Sequence, residues 1–346
     1  MKNLFIVAVT SLFLFSCNNA GKAPDVSAVK VDLQLQRFDK DLFSIDTNNI
    51  NSSLDQLQNK YPHFFGDFLA NILGIDNQTI QSGAAPATIK YFISSYKNLY
   101  DSSNAVFGNF EKQLGEIKKM LQYVKHYFPV YKTPAAVTTF VGPLDASFKT
   151  SFGVQGDILT PNTLGAGLQL HLGKNSTYYT SQQGLELYPE YISRRFEPDN
   201  IAINLAKNIV DDLYPDKDDD KPLVSSIVGN GKRLYLLQQF VPGTDEYKLI
   251  GYTKEQMEAC YKNEARIWDL FIKNNYLQVT DKNTTKDYIS ESPKTQELGE
   301  AAPGNIGSFA GWQIVKKYMD KNPATTLQQL IAMDNEMLFE AAKYKP

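Results

Sequence analysis

Apolar residues recur at steps of three and four along most of the chain, which is the spacing of an amphipathic helix. The clearest stretch covers residues 107–128, where the apolar positions are Phe107, Phe110, Leu114, Ile117, Leu121 and Val124. Pro129 follows directly and predicts the end of this helix. The same spacing predicts further helices over residues 38–43, 50–57, 64–73, 88–100, 198–213, 222–240, 253–274, 306–319 and 326–342.

A few short stretches have a different pattern. Residues 136–141, 153–159 and 168–172 are β-prone and bounded by Gly or Pro, and residues 31–35 alternate apolar and polar positions. The pattern therefore predicts an α+β fold, predominantly helical with one small mixed sheet. We expect a single globular domain over residues 31–346, with a helical N-terminal lobe at about 31–131 and a lobe of sheet and helices at about 132–346.

The N-terminal residues form a pattern of their own. Lys2 precedes a short apolar run over residues 4–15, which is too short to span a bilayer and is typical of a signal peptide. The run ends in Leu14-Phe15-Ser16-Cys17, which predicts cleavage after residue 16 and lipid attachment, including an acyl chain such as palmitate, at Cys17. An ordinary secretory signal with a chance cysteine is the alternative. Residues 17–30 are mostly small and polar, and predict a flexible tether.

This N-terminus predicts a protein anchored by lipid to the cell membrane or outer membrane, most simply facing the periplasm. The net charge of −3 and the lack of a basic block argue against a nucleic-acid partner. If Cys17 carries lipid, Cys260 has no disulfide partner in the chain, and its place in a helical stretch predicts a buried thiol.

The sequence offers little support for a metal, a cofactor or a catalytic motif. His63, His126 and His171 lie far apart in sequence, and no His-Glu-x-x-His pattern occurs. The acidic stretch 216–221 lacks the Gly and Glu of a calcium-binding loop, and predicts a solvated loop. No nucleophile motif or phosphate-binding loop is present. We therefore expect no metal and no cofactor.

Glu264 is the one charged residue that interrupts an apolar stripe. A buried carboxylate needs a cation or several donors, and Arg194 and Arg195 are the candidate partners. A buried ion pair that fixes helix packing is the favoured interpretation. A general base or a substrate clamp is the functional alternative.

Several stretches together resemble the gliding-motility lipoprotein family GldB. They are Arg37-Phe38-Asp39-Lys40-Asp41-Leu42-Phe43, Tyr61-Pro62-x-Phe64-Phe65, Tyr127-Phe128-Pro129, Tyr178-Tyr179, Asn263-Glu264-x-x-Ile267-Trp268, Gly307-x-x-x-Gly311-Trp312-x-Ile314-Val315 and the terminal Tyr344-Lys345-Pro346. A more remote similarity is to predicted zinc-dependent proteases of zincin-like fold. It aligns residues 207–211 with their His-Glu-x-x-His, and Asn230-Gly231 with the Glu-Gly of their next helix.

The GldB resemblance implies a role in surface motility and in the secretion machinery that the motility apparatus shares, through contacts with envelope proteins. The remote similarity implies a zincin-like scaffold that has lost its metal ligands, and hence a protein that is not an enzyme. The alternatives are a divergent envelope peptidase or hydrolase, and a module that binds peptide or glycan in a former catalytic cleft. His171 departs from the GldB pattern, where a Tyr is expected.

Overall fold

The computed structural model describes residues 23–216 and 221–346. The predicted signal peptide, the lipid attachment at Cys17 and the first part of the tether lie outside the described residues. The described part of the tether packs against the fold. Val26 is buried, and the carbonyl oxygens of Val29 and Lys30 accept hydrogen bonds from Gln122 and Lys125. The packed structure thus begins before the expected boundary at residue 31.

The N-terminal part is a set of short helices with an aromatic core. The helices are α1 (Phe38–Phe43), α2 (Ile50–Lys60), α3 (Phe65–Asp67), α4 (Asn77–Gln81), α5 (Ala85–Ser95), α6 (Lys97–Phe107) and α7 (Glu111–Tyr127). A π-helical segment, Phe68–Ile72, continues α3. Phe38 lies at the centre of the aromatic core, with its ring centroid 5.1 Å from Tyr61 and 4.7 Å from Phe68. Such edge and tilted contacts stabilise aromatic pairs beyond simple burial.

Most of the strands lie in the middle of the chain. The strands are β1 (Gln34–Gln36), β2 (Ala136–Phe140), β3 (Phe148–Thr150), β4 (Gly153–Gln155), β5 (Ile158–Leu159) and β6 (Thr163–Gly167). Four of them form a mixed sheet in the order β1-β2-β6-β5, with β1, β2 and β6 parallel and β5 antiparallel. In its centre Val137 pairs with Leu164. The strands β3 and β4 form a separate hairpin, in which Phe148 pairs with Gln155.

Helices make up most of the C-terminal part. They are α8 (Thr177–Thr180), α9 (Gln182–Leu187), α10 (Glu190–Ser193), α11 (Ile201–Leu213), α12 (Leu223–Phe240), α13 (Glu246–Ile250), α14 (Lys254–Lys262), α15 (Glu264–Lys273), α16 (Lys282–Ile289), α17 (Ile306–Lys321), α18 (Leu327–Ala332) and α19 (Asn335–Ala342). Short 3₁₀ turns cover Leu168–Leu170, Pro198–Asn200, Tyr276–Gln278 and Gln296–Leu298. The larger core surrounds α12 and α17 and also takes residues from α7, so it includes both sides of the expected lobe boundary near residue 131.

Two glycines let α12 and α17 cross at backbone contact. A Cβ on Gly231 would lie 2.2 Å from the Gly311 carbonyl oxygen, and a Cβ on Gly311 would lie 1.8 Å from the Ile227 carbonyl oxygen. Real Cβ atoms do not approach backbone oxygens so closely, so a side chain at either position would push the helices apart. This crossing is the centre of the larger core.

The predicted α+β class, predominantly helical with a small mixed sheet, is confirmed. The zincin-like scaffold stays a prediction. The expected strand at 168–172 was wrong, because this segment is a 3₁₀ turn and the strand is β6, five residues earlier. The predicted helices 88–100, 253–274 and 326–342 are each two helices, interrupted at Tyr96, at Asn263 and at 333–334.

Candidate functional site

A surface groove of ≈ 1110 Å³ lies between residues 174–200 and residues 247–255. Tyrosines and side chains of both charges line it, among them Lys174, Tyr191, Arg194, Arg195, Glu197, Tyr247 and Lys254. Its volume is slightly above the range of about 300–1,000 Å³ that is typical of small-molecule sites. The groove therefore has room for an extended ligand, and polar groups to orient one.

Arg194 is fixed on the wall of this groove. Its Nε and one terminal nitrogen donate to the Gly251 carbonyl oxygen at 3.1 and 2.7 Å, and the other terminal nitrogen donates to Gln256 Oε1 at 3.1 Å. Gln256 is itself held by the capping box of α14, because its Oε1 also accepts from the Thr253 backbone N–H. The pKa of Arg194 is lowered mainly by burial and, to a smaller extent, by the positive charge of Arg195. The guanidinium is therefore both rigid and partly desolvated.

Arg195 also lines the groove, and it clamps the β3–β4 hairpin. It forms an ion pair of 2.5 Å with Glu291, and it donates to the carbonyl oxygens of Phe152 and Val154. Glu291 accepts in turn from the Val154 backbone N–H at 2.9 Å. The Ser151 N–H donates to Asp211 of α11, also at 2.9 Å. Side chains from three separate parts of the chain thus hold the hairpin tip over α11.

A polar face of α11 lies beneath the hairpin, formed by Asn204, Lys207, Asn208 and Asp211. Lys207 is only 4% exposed, and its Nζ lies 5.6 Å from the centre of the Phe152 ring. Burial is the main cause that lowers the pKa of this lysine to about 7, and the charge of Arg195 adds to the effect. Burial likewise raises the pKa of Asp211. Such shifts occur at functional sites and in structural networks alike.

His171 and Asp157 form a second buried polar contact that ends on α11. The Nδ1 atom of His171 lies 3.1 Å from the Glu197 carbonyl oxygen, which can only accept, so Nδ1 carries a hydrogen. Its Nε2 lies 2.8 Å from Asp157 Oδ2, to which Asn204 also donates. A hydrogen bond between these two atoms needs one hydrogen, bound either to Nε2 or to the carboxylate oxygen. The sequence pointed to His171 only as a departure from the family pattern, and Asp157 was missed because its partners lie far away in sequence.

The positions that the remote similarity aligns with zinc ligands also meet here. Arg233 of α12 is 2% exposed; it donates to Asn230 Oδ1 at 3.2 Å, and its Nε lies 4.0 Å from Asp211 Oδ1. Among residues 23–216 and 221–346, no three His, Cys, Asp or Glu side chains are placed to hold a metal ion. Gly231, the glycine of that similarity, is needed for the crossing of α12 and α17.

The expected ion pair of Glu264 with Arg194 or Arg195 is not present. Glu264 is the half-buried first residue of α15 and accepts a hydrogen bond from the hydroxyl of Tyr344 near the C-terminus. The two arginines are held in the groove region by other partners. The prediction was wrong because the chain turns at Asn263, which ends α14 and takes Glu264 off the apolar stripe. Cys260 is buried as predicted, and burial raises the pKa of its thiol to about 12.

The stretches that carried the family resemblance pack against one another. The Arg37–Asp39 ion pair, 2.7 Å long, lies next to the aromatic core that joins Phe38 and Tyr61. Trp268 makes an edge contact with Tyr344, with ring centroids 5.2 Å apart. These stretches are therefore fold contacts, and only Tyr179 among their residues lines the groove.

Comparison with known families agrees with this resemblance. The family model described as "Gliding motility protein GldB" matches residues 19–346. The chain belongs to the GldB family. It is therefore a gliding-motility-related lipoprotein, and its family membership indicates a membrane-anchored envelope protein. No curated protein and no solved structure matches the chain. No helix in the part of the chain that the structure describes is long and apolar enough to cross a membrane.

Proposed function

We propose that this GldB protein is a non-catalytic, lipid-anchored scaffold that supports gliding motility, and the secretion machinery associated with it, through contacts with other envelope proteins. The family match over residues 19–346 carries this proposal. The lipid on Cys17 supplies the anchor, and the folded domain supplies the contact surfaces. The predicted location is the periplasmic side of the cell membrane or outer membrane.

The chemistry of the α11 face supports a non-catalytic role. At the positions aligned with zinc ligands, Lys207 and Asp211 offer an amine and a single carboxylate, and Asp211 already accepts the N–H of Ser151. The guanidinium of Arg233 approaches the same carboxylate. A cation from the protein's own chain therefore lies where the remote similarity would put a metal.

Deletion of the gene in its host tests the proposal. Colony spreading should fall, and the wild-type gene should restore it. Normal spreading of the deletion strain, together with normal secretion, would contradict the proposed function. Elemental analysis tests the non-catalytic part: protein purified without chelator should lack stoichiometric zinc, and stoichiometric zinc whose removal abolishes peptidase activity would overturn it.

A divergent peptidase or hydrolase is the second candidate. The near-neutral pKa of buried Lys207 favours it, because a neutral amine beside carboxylates can act as a base. Glu264, which the sequence offered as a general base only as the functional alternative to an ion pair, does not line the groove. The groove also supports the third candidate, a peptide- or glycan-binding module.

A further inference from the structure

We propose that the groove between residues 174–200 and 247–255 binds an acidic peptide segment of an envelope partner, and that Arg194 holds a carboxylate of this peptide. The proposal rests on the proposed function, because it names the surface through which a protein contact would form. A peptide is the expected ligand, because the large open groove combines aromatic walls with fixed polar groups.

The Arg194 guanidinium has more hydrogen-bond donors than its contacts in the protein use. Arginine has five N–H donors. Three hydrogen bonds, two to Gly251 and one to Gln256, leave two donors, one on each terminal nitrogen. Burial lowers the pKa of Arg194, which shows that its charge is partly desolvated. Even so, no carboxylate of the described residues lies within 4.0 Å of the guanidinium. A desolvated guanidinium with two donors left is suited to a carboxylate, which such a planar group binds through paired hydrogen bonds.

The charges around Arg194 favour an acidic ligand. Lys174 and Lys254 add positive charge to the groove, and both are exposed. Of the carboxylates in the wall, Asp199 is paired with Lys112 at 2.7 Å, and Glu197 accepts the backbone N–H of Lys174. A backbone N–H does not neutralise the charge of Glu197. Over all lining residues the groove nevertheless has one more cation than carboxylates, because Lys174, Arg194, Arg195, Lys248 and Lys254 face Glu190, Glu197, Asp199 and Glu255. An acidic segment complements this surface better than a basic one.

The groove also has an apolar part. Tyr191 and Tyr247 are half-buried in its walls, and Leu185 is 46% exposed at its edge. Tyrosines are favoured in contact surfaces, because a large rigid ring loses little entropy on binding. These side chains can contact the residues that flank the acidic one.

The test compares two pools of fluorescein-labelled eight-residue peptides. Both have random flanks, one with Glu and the other with Gln fixed at position four. Binding to the full chain, extracted from membranes in detergent, is measured by fluorescence polarisation. We expect the Glu pool to bind about tenfold more tightly, which corresponds to about 1.4 kcal/mol. Higher salt should weaken only this difference.

Three substitutions locate the site. Arg194→Gln should remove the preference for Glu. Because Arg194 also holds Gly251, a melting curve shows whether that variant is folded, and Lys254→Gln gives an independent test. Lys254 is exposed at the groove, and its loss should weaken binding of the Glu pool about threefold. Lys262→Gln, at the other end of α14, is the matched control and should have no effect.

Several results would overturn the proposal. They are equal binding of the two pools, no binding of either pool, and an equal loss of binding in the Lys254→Gln and Lys262→Gln variants. A fourth is full displacement of the Glu pool by inorganic phosphate at the same concentration at which acetate, a simple carboxylate, displaces it. The last would show a general anion site. These outcomes are distinct from failure of the proposed function: a deletion strain with normal spreading leaves peptide binding in place, and absent peptide binding leaves a motility defect in place.

Discussion

Lys207 carries an amine into the interior, where water cannot solvate its charge. Its Nζ faces the Phe152 ring, and the nearby Arg195 repels it. The attraction of Glu291, Asp157 and Asp211 only partly offsets these costs, so that the pKa of Lys207 falls to about 7. An unfolded chain would hold this proton up to the ordinary pKa of lysine. Folding therefore competes with protonation at this residue.

This competition predicts the pH dependence of stability. Between the folded pKa of about 7 and the ordinary value, the unfolded state binds more protons, so stability rises with pH. From pH 7 to pH 9 the contribution of Lys207 to the free energy of unfolding should increase by about 2 kcal/mol. Lys207→Met should remove this increase and be at least as stable as the wild type at pH 7. Urea unfolding at the two pH values measures both.

Lys317→Met is the control for this comparison. Lys317 is exposed on α17, and its substitution should leave the pH dependence unchanged. If the Lys207→Met variant keeps the full increase between the two pH values, Lys207 is not the titrating group. If it is strongly destabilised at both, its cation–π contact with Phe152 outweighs the cost of burial.

At the scale of elements, the crossing of α12 and α17 depends on Gly231 of α12 and Gly311 of α17, and Gly307 of α17 adds a third close approach. In the stretch Gly307-x-x-x-Gly311, the glycines are one helical turn apart and face α12 and the end of α16. A Cβ on Gly307 would lie 2.9 Å from the Tyr288 carbonyl oxygen. Close approach of backbones brings many core atoms into contact, which compensates for the low helix propensity of glycine.

Gly311→Ala should therefore destabilise the protein, although alanine is the better helix former. Its Cβ would meet the Ile227 carbonyl oxygen at 1.8 Å, and overpacking of this kind costs about 1–3 kcal/mol or more. Gly115→Ala is the matched control. Gly115 lies inside α7 with no atom within 4 Å of an added Cβ, so this variant should gain up to about 1 kcal/mol. The melting temperatures of the two variants test this prediction. A Gly311→Ala variant as stable as Gly115→Ala would contradict the close backbone contact between α12 and α17.

The sequence predicted the elements whose signals are local. The periodicity of residues 107–128 gave α7, and Thr253 with Gln256 gave the capping box that begins α14. It did not predict the break at Asn263, because the apolar spacing continues from α14 into α15. The hydrogen bond from the Tyr344 hydroxyl to Glu264 at the start of α15 joins residues 80 positions apart, and no local pattern predicts it.

The strand β6 was missed because its residues have low β-propensity. It reads Thr163-Leu164-Gly165-Ala166-Gly167 and is buried throughout, between β2 and β5. A Cβ on Gly165 would lie 2.6 Å from Ile158, and one on Gly167 would lie 2.3 Å from the Gly156 carbonyl oxygen. Small residues are needed there because neighbouring segments approach closely, a constraint that only the fold reveals.

The candidate site could be predicted only in part. The sequence contained the spacing of Asn204, Lys207, Asn208 and Asp211, which places four polar side chains on one face of a helix. It could not show that the β3–β4 hairpin covers that face, since Ser151 and Asp211 are 60 residues apart. The groove was not predictable either, because it forms between segments that are distant in sequence.

At the scale of the whole molecule, contacts between distant parts of the chain close the fold. The C-terminal Tyr344 contacts Trp268 and Glu264, and Lys321 donates to the Ala342 carbonyl oxygen at 2.7 Å. At the other end, Val26 is buried and Gln122 holds Val29. Val26 lies nine residues after Cys17, so a lipid on this cysteine would keep the domain close to the membrane surface.

Cys17→Ala tests this arrangement. The variant should lose metabolic labelling with fatty acid, because alanine has no thiol to carry the lipid, and it should accumulate as an unprocessed or soluble form. It should also complement a deletion strain poorly even at wild-type abundance, because the tether raises the effective concentration of the domain near its membrane partner. Lys22→Ala, in the same N-terminal region, is the control and should label and complement normally.

Unchanged labelling of Cys17→Ala would contradict the lipid assignment. Lost labelling with full complementation would show that the folded domain finds its partner without the anchor, and would place the affinity of the contact entirely in surfaces such as the groove.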